Sequence, residues 1–345
     1  MPRPRYSIAH GALLSKISVP PRASSEIGSG PDEVADTIVK VLYIIGRGRG
    51  GSTILGNVLG ELDGFFSAGE VRTLWDPIVL SGGRCGCGKP AESCDFWSHV
   101  IEGVDAAEAA RLQNEVVRER NLVKMIRQRK RANYPALDAF ARAMGDVYRK
   151  LAATTNERVI VDSSKRPSYG AFLRFVPGIS VRYVHLVRDP RASAHSWKER
   201  RYESATPGAE VTQRGAFDST LRWDLLNLEA EVLRASESPA TFTRLRYEDF
   251  VAAPRATVMR LAAFMGEVVE PTPFEDDRSV RMGINHTIAG NPSRHRTGIV
   301  QIKDSGDWRA QSRTDRWITT VMSAPLLHRY GYPLTGSGSD AGPGG

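Results

Sequence analysis

Cysteine is nearly absent: the 345 residues hold three, Cys85, Cys87 and Cys94, all within ten positions. So few thiols exclude a disulfide-stapled secreted scaffold. Lysine is scarce too, with nine among 47 basic residues, and together with abundant Ala and Gly this bias fits GC-rich bacterial coding. No stretch approaches the roughly 18 apolar residues that a membrane span requires. The N-terminus lacks the apolar core of a secretory signal, so a cytoplasmic chain without a transmembrane segment is expected. Residues 1–36 read as a flexible arm, basic at the start and acid-poor before Glu26, with an organellar targeting segment as the alternative. The Gly/Ser-rich end, 334–345, reads as a disordered tail.

A further absence lies inside a motif. Residues 46–53, Gly46-Arg47-Gly48-Arg49-Gly50-Gly51-Ser52-Thr53, follow the apolar run Val41-Leu42-Tyr43-Ile44-Ile45. Gly46 and Gly51 keep the spacing of the nucleotide-triphosphatase loop G-x-x-x-x-G-K-[ST], whose backbone N–H groups close around phosphates. Ser52 stands where its lysine belongs, and Arg49 sits within the loop. Hydrolysis of a γ-phosphate is therefore disfavoured. What is left is a strand, an anion-cradling turn and a helix N-terminus near Ser52, suited to compact negative charge without a metal.

Two more strands end in polar groups. Val181–Val187 is followed by Arg188-Asp189-Pro190, where Asp and Pro suit a helix cap and first turn. Ser196 falls two helical turns after Arg188, so both side chains can converge on one anion. Arg158-Val159-Ile160-Val161 runs into Asp162-Ser163-Ser164-Lys165, again at the strand end where open α/β sheets place ligands. Lys165 there can neutralise charge on a leaving oxygen, or simply face solvent. Glu70, in Ser67-Ala68-Gly69-Glu70-Val71, is the candidate general base, its pKa to be raised by a wall of Trp75 and Phe65 or Phe66; its plain reading is a first-turn acid of a helix over 71–80.

Arg49-Gly50-Gly51-Ser52-Thr53-Ile54-Leu55 resembles the R-S-G-T-T-x-L signature of sulfotransferases that use 3′-phosphoadenosine 5′-phosphosulfate. The resemblance runs from about residue 39 to 310. It takes in the Arg188/Ser196 pair, Arg246-Tyr247-Glu248-Asp249-Phe250, which resembles the family's R-Y-E-D-F segment, and the late loop Gly290-Asn291-Pro292-Ser293-Arg294-His295-Arg296-Thr297-Gly298 before Asp307-Trp308. It implies that the loop of Arg49, Gly50, Gly51, Ser52 and Thr53 holds the 5′-phosphosulfate, and that Arg188 and Ser196 hold the 3′-phosphate. It also implies that Arg294, with Arg296 as substitute, closes over that phosphate, although the loop departs from the family's R-K-G form. Glu70, Arg49 and Lys165 are the implied catalytic set. A G-E glutamate lies near the acceptor hydroxyl in the tyrosylprotein and carbohydrate branches, and similar D-S-S-K segments occur in bacterial members. The implied reaction moves a sulfuryl group to a hydroxyl, with an amine as the lesser option, on a small-molecule, carbohydrate or lipid acceptor, and needs no metal. A degenerate P-loop kinase and a non-catalytic nucleotide- or nucleic-acid-binding module are the alternatives.

The expected fold is α/β: a P-loop-type parallel sheet flanked by helices in one domain over 37–333, with a helical, cysteine-containing insertion at about 80–155 on the acceptor side. Hydrophobic spacing predicts strands 39–45, 158–162, 181–187 and 241–245, and helices 52–62, 71–80, 167–175, 190–201, 215–236 and 254–265. Helical spacing also covers 105–131 and 134–153. The net charge of +8 fits an acidic ligand. The densest basic run, Arg118 to Arg131, carries Leu122, Val123, Met125 and Ile126 and predicts a basic amphipathic helix. A solvated face is its plain reading; an anionic acceptor, a peripheral membrane contact and nucleic acid are the others, with nucleic acid not the expected partner of the whole chain. For Cys85, Cys87 and Cys94 three readings stand: a zinc site completed by His99, one disulfide, or a reduced packed loop. A C-x-C pair is not the usual C-x₂₋₄-C metal spacing, and similar insertions ending in Phe-Trp, here Phe96-Trp97, are seen in bacterial relatives.

Overall fold

The computed structural model describes residues 38–128, 133–198, 213–304 and 308–334. Expectations for 1–36, for Arg129 to Arg131, for Asp307 and for the tail beyond Leu334 fall outside those residues. The apolar run of strand β1 (Val39–Gly46) is explained by its place: Val41, Tyr43 and Ile45 enter one core layer, Leu42 and Ile44 the other. A strand covered on both faces has no polar side to show. It lies in the middle of a five-stranded parallel sheet ordered β2 (Phe65–Gly69), β3 (Val159–Lys165), β1, β4 (Ile179–Val187), β5 (Phe242–Arg246).

Helices cover both faces. Beneath Leu42 and Ile44 pack α1 (Ser52–Leu59) and, from later in the chain, a pair at Tyr247–Ala252 and Pro254–Phe264. The opposite layer holds α2 (Asp95–Ile101), α3 (Ala106–Val116), α4 (Leu122–Arg127), α5 (Pro135–Thr155), α6 (Pro167–Leu173) and the inner side of a long helix at Ala216–Ser236. In chain order α7 is Pro190–Lys198, α8 the long helix, and α9 and α10 the pair. A hairpin of β6 (Ser279–Met282) and β7 (Gly298–Gln301), then α11 (Arg313–Met322) and α12 (Ala324–Arg329), complete the described chain. The connections leave β1 and β4 toward opposite edges of the sheet, so a crevice opens at their C-terminal ends.

Several expected elements differ. β2 stands where only a return loop was expected; five residues at a sheet edge carry too short a pattern to announce themselves. Helix 52–62 stops at Leu59. Helix 71–80 is broken: Asp76 takes extended angles ahead of Pro77, which has no N–H to continue the ladder. The continuous helix over 105–131 is interrupted too. Arg118 is extended, and the Asn121 amide donates to the carbonyls of Glu115 (3.0 Å) and Val116 (2.9 Å), capping α3. Over its described residues, 118–128, the expected basic amphipathic helix of 118–131 is one tight turn and the six residues of α4, anchored by Leu122 and Met125. No described helix is long and apolar enough to cross a membrane.

Candidate active site

The turn after β1 is shaped by what stands behind it. Gly51 has φ +92°, and a Cβ there would lie 2.3 Å from the Tyr247 ring, so only glycine fits. Gly50 closes the turn onto the Arg47 carbonyl at 2.9 Å, and α1 starts at Ser52. Thr53 accepts a hydrogen bond from the Asn291 backbone at 3.2 Å, which fastens the late loop to the first helix. Arg49 donates to the Asn291 side chain at 3.0 Å, and its own carbonyl accepts from Arg188 at 2.9 Å. Arg188 is buried, lies over the Tyr247 ring at 4.5 Å and faces Asp304 at 3.5 Å. The expected cap at the start of α7 is present: Asp189 accepts from the Arg191 backbone at 2.9 Å and pairs with its guanidinium at 2.7 Å.

Two cavities meet at this turn. The first, about 340 Å³, has Arg49, Gly51, Arg188, Ser196, Arg296 and Lys303 in its wall, and among the described residues no carboxylate lines it. The second, about 390 Å³, is walled by Arg47, Arg49, Arg72, Lys165 and Arg166 with a single acid, Glu70. Arg49 and Asn291 belong to both walls. Expected donor and catalytic residues from five separate chain segments are thereby brought together. Gly50, Ser52 and Thr53 form the junction behind the wall instead of lining it. Arg294 does not line either cavity: it is buried, donates to the carbonyls of Gly290 (3.0 Å) and Arg84 (3.5 Å), and has its pKa lowered by burial. Its neighbour Arg296 is the one at the wall.

Glu70 and Lys165 form an ion pair, both largely withdrawn from solvent. The expected apolar wall does not line the cavity that holds the carboxylate: Phe65 packs in the α1 layer, Trp75 in the opposite core and Phe66 against that core. Glu70 is placed by its backbone, which donates to the Ile288 carbonyl at 2.9 Å and accepts from the Thr73 hydroxyl at 2.7 Å. Gly69 before it has φ +81°, with no room for a Cβ against Ile288. Below Lys165, buried Asp162 accepts from the Tyr148 hydroxyl at 2.6 Å and from the Ser164 backbone at 2.9 Å. Ser164 in turn accepts from the Arg72 backbone at 2.9 Å, so β3 and the segment after β2 are locked together. Burial pushes the Asp162 carboxyl up to about 6 against the opposing pull of its hydrogen bonds.

Strained backbone concentrates at the second cavity. Of four described non-glycine residues with positive φ, three line it: Arg49 (+69°), Lys165 (+72°) and Ala289 (+54°). Each costs about 1–3 kcal/mol and persists only where the surroundings enforce it, as at functional sites. Burial, with Arg166 and Arg214 nearby, pulls the Arg47 guanidinium down to about 10. Among the described residues, its Nε and Nη2, and Nε of Arg72, are buried with no hydrogen-bond partner.

The sequence matches the model of the sulfotransferase family over residues 42–271. The chain belongs to that family. Among solved structures, the sulfotransferase domain of the Synechococcus PCC 7002 olefin synthase shares the fold, with 18% identity, coverage of 88% of this chain and 98% of that one, and a TM-score of 0.50. The sulfotransferase domain from the curacin biosynthetic pathway aligns at 16% identity over 87% and 100% of the two chains, TM-score 0.48. A sulfotransferase from Alicyclobacillus acidocaldarius gives 12% over 84% and 92%, TM-score 0.42. No curated protein matches the chain by sequence.

Sequence reasoning passed over four residues of this sulfotransferase's cleft. Asn291 was visible in the late loop, but nothing there announced its bond to Arg49. Trp197, one position after Ser196, donates to the Gly48 carbonyl at 3.1 Å and lies 5.1 Å from both Arg47 and Arg49. Arg72 and Arg166 each follow a residue that had been singled out or lie beside one, and carried no signal of their own.

Proposed function

We propose that this sulfotransferase moves the sulfuryl group of 3′-phosphoadenosine 5′-phosphosulfate to a hydroxyl group, with an amine as the lesser option. One observation carries the reading: a cavity whose described charged lining is all cationic joins, across Arg49 and Asn291, a cavity holding one carboxylate beside one ammonium. A nucleotide with two separate anionic ends needs the first, and a proton transfer needs the second. Arg188, Ser196 and Arg296 take the 3′-phosphate in this scheme, with Arg294 holding the loop that carries Arg296. The turn at Arg49 to Thr53 takes the phosphosulfate against the start of α1.

The acceptor oxygen attacks sulfur as the bond from sulfur to the bridging phosphate oxygen breaks. Negative charge grows on that oxygen and spreads over the three equatorial ones, much as in phosphoryl transfer. Arg49 and Lys165 offset it. Glu70 takes the acceptor proton, and the products are the sulfated acceptor and adenosine 3′,5′-bisphosphate. Pairing with Lys165 holds the carboxylate at one position in the cavity. Among the histidines, His295 contacts the Gly86 carbonyl and His286 the Cys85 and Cys94 thiols, and neither they nor His195 line the second cavity. The orphaned donors of Arg47 and Arg72 favour an acceptor with negative charge of its own. Fixed cations replace Mg²⁺, so transfer runs without a divalent ion.

Calorimetry with adenosine 3′,5′-bisphosphate and 5′-AMP tests the donor. The bisphosphate is expected to bind at least about tenfold more tightly, since charge-assisted bonds contribute about 1.5–3 kcal/mol each. Equal affinities, or tighter binding of ATP with Mg²⁺, would instead support a degenerate kinase.

A further inference from the structure

The three cysteines do not close on His99. That side chain is exposed, its Nδ1 at 2.6 Å from the Asp95 carbonyl of its own helix. The histidine that meets them is His286, far along the chain on the segment leading into the late loop. Its Nδ1 lies 3.5 Å from Cys85 Sγ and 3.3 Å from Cys94 Sγ, while Cys87 Sγ and Cys94 Sγ are 3.7 Å apart. All four donor atoms fall within 4.8 Å of one another.

These separations have a plain geometric meaning. With Zn–S near 2.3 Å and Zn–N near 2.0 Å, the edges of a tetrahedron come to about 3.8 Å between sulfurs and about 3.5 Å between sulfur and nitrogen. The three measured separations match those edges, and all four donor atoms gather around one point. We propose that Cys85, Cys87, Cys94 and His286 bind one structural zinc ion. Cys85 and Cys94 are buried, and backbone N–H groups of Cys87 and Lys89 donate to the sulfurs of Cys85 and Cys87. The imidazole is held in place by stacking on Phe96 at 5.1 Å and by Trp97, whose indole donates to the His286 carbonyl at 2.6 Å. Four protein ligands leave no open position, so this is a clamp and not a reaction centre.

The clamp joins the insertion to the active site. Two residues after His286, Ile288 accepts from the Glu70 backbone and donates to the Ala68 carbonyl at 3.0 Å; five residues after it comes Asn291. Removing the metal is therefore expected to loosen the base and the late loop together.

The test uses the full chain purified under reducing conditions without chelator. One zinc per chain is expected by elemental mass spectrometry, released by a mercurial thiol reagent, and replacement by Co²⁺ is expected to give the absorption of tetrahedral thiolate coordination. His286→Ala is expected to lose the metal, His286→Cys to regain it, and His99→Ala to keep it. Wild-type protein that takes up neither zinc nor tetrahedral cobalt overturns the proposal. So does a stable Cys87–Cys94 disulfide in the reduced preparation, or zinc lost with His99 instead of His286. The wild-type cobalt spectrum decides the matter even where a cysteine variant does not fold.

Discussion

The two cavities of the cleft share a wall and differ in everything that surrounds it. The first is lined by Arg49, Arg188, Arg296 and Lys303 with no acid among the described residues, and the residues that place Arg188 are a strand end, a ring and a carbonyl. The second sets one acid among five cations and is built on left-handed backbone at Arg49, Lys165 and Ala289. Arg49 stands in both walls, so both cavities share its left-handed backbone, and Lys165 and Ala289 add theirs to the second alone. Moving a proton beside a departing oxygen requires groups at one position each, and that is where more of the strained conformations are found.

If this division is right, binding and turnover come apart on mutation. Glu70→Gln is expected to lower kcat by about 10²–10⁴-fold while leaving bisphosphate affinity nearly unchanged. Single-turnover rates and calorimetry on the same sample read both; a matching loss of affinity would merge the two cavities into one functional unit.

A second contrast lies in the buried titratable groups under each cavity, and it appears in stability. Asp162 has a folded-state value near 6, above its unfolded value near 3.8, so its contribution is full at low pH and is lost as pH rises through 6. His185, behind the first cavity on β4 and bonded to Asn227 at 2.8 Å, is pulled down to about 4 by burial; its contribution is full above 6.5 and is lost as pH falls through 4. Each is worth about 3 kcal/mol across the window, with opposite sign. Urea unfolding between pH 4 and 6.5 is expected to show Asp162→Asn losing stability on acidification more steeply than wild type and His185→Gln less steeply. Parallel curves for both variants would show that neither group carries the linkage.

The smallest effect sharpens the first cavity itself. Arg188→Ala is expected to weaken bisphosphate binding by about 10- to 100-fold, as loss of a charge-assisted contact does. Arg296→Ala, on the exposed side of the wall, is expected to cost less. The reverse ranking in calorimetry would move the 3′-phosphate toward the late loop.

The first cavity was legible in the chain because its parts are contiguous: a strand, a turn and a helix start at 49–53, and the same at 188–196. The second was legible only in fragments. Glu70 and Lys165 could each be named from a strand end, but their bond joins segments 95 positions apart and replaces the apolar wall that Phe65 and Trp75 were expected to give. Whether Arg294 or Arg296 faces a ligand depends on the rotation of one short turn, which residue type does not fix. His99 was the nearest histidine in sequence to the cysteines, whereas His286 reaches them because Ile288 pairs with the end of β2. The periodicity of 118–131 was real, yet a single asparagine amide ends the preceding helix and leaves α4 short.

The contact of Tyr247 with Gly51 bears on how such a chain can diverge. A side chain at position 51 collides with the ring and would in any case stand at φ +92°, whereas a smaller residue at 247 merely opens space. The two positions are therefore unequal partners in descent. A mutational path that places a side chain at 51 must first change 247, and a lineage that retains the tyrosine stays bound to glycine at 51.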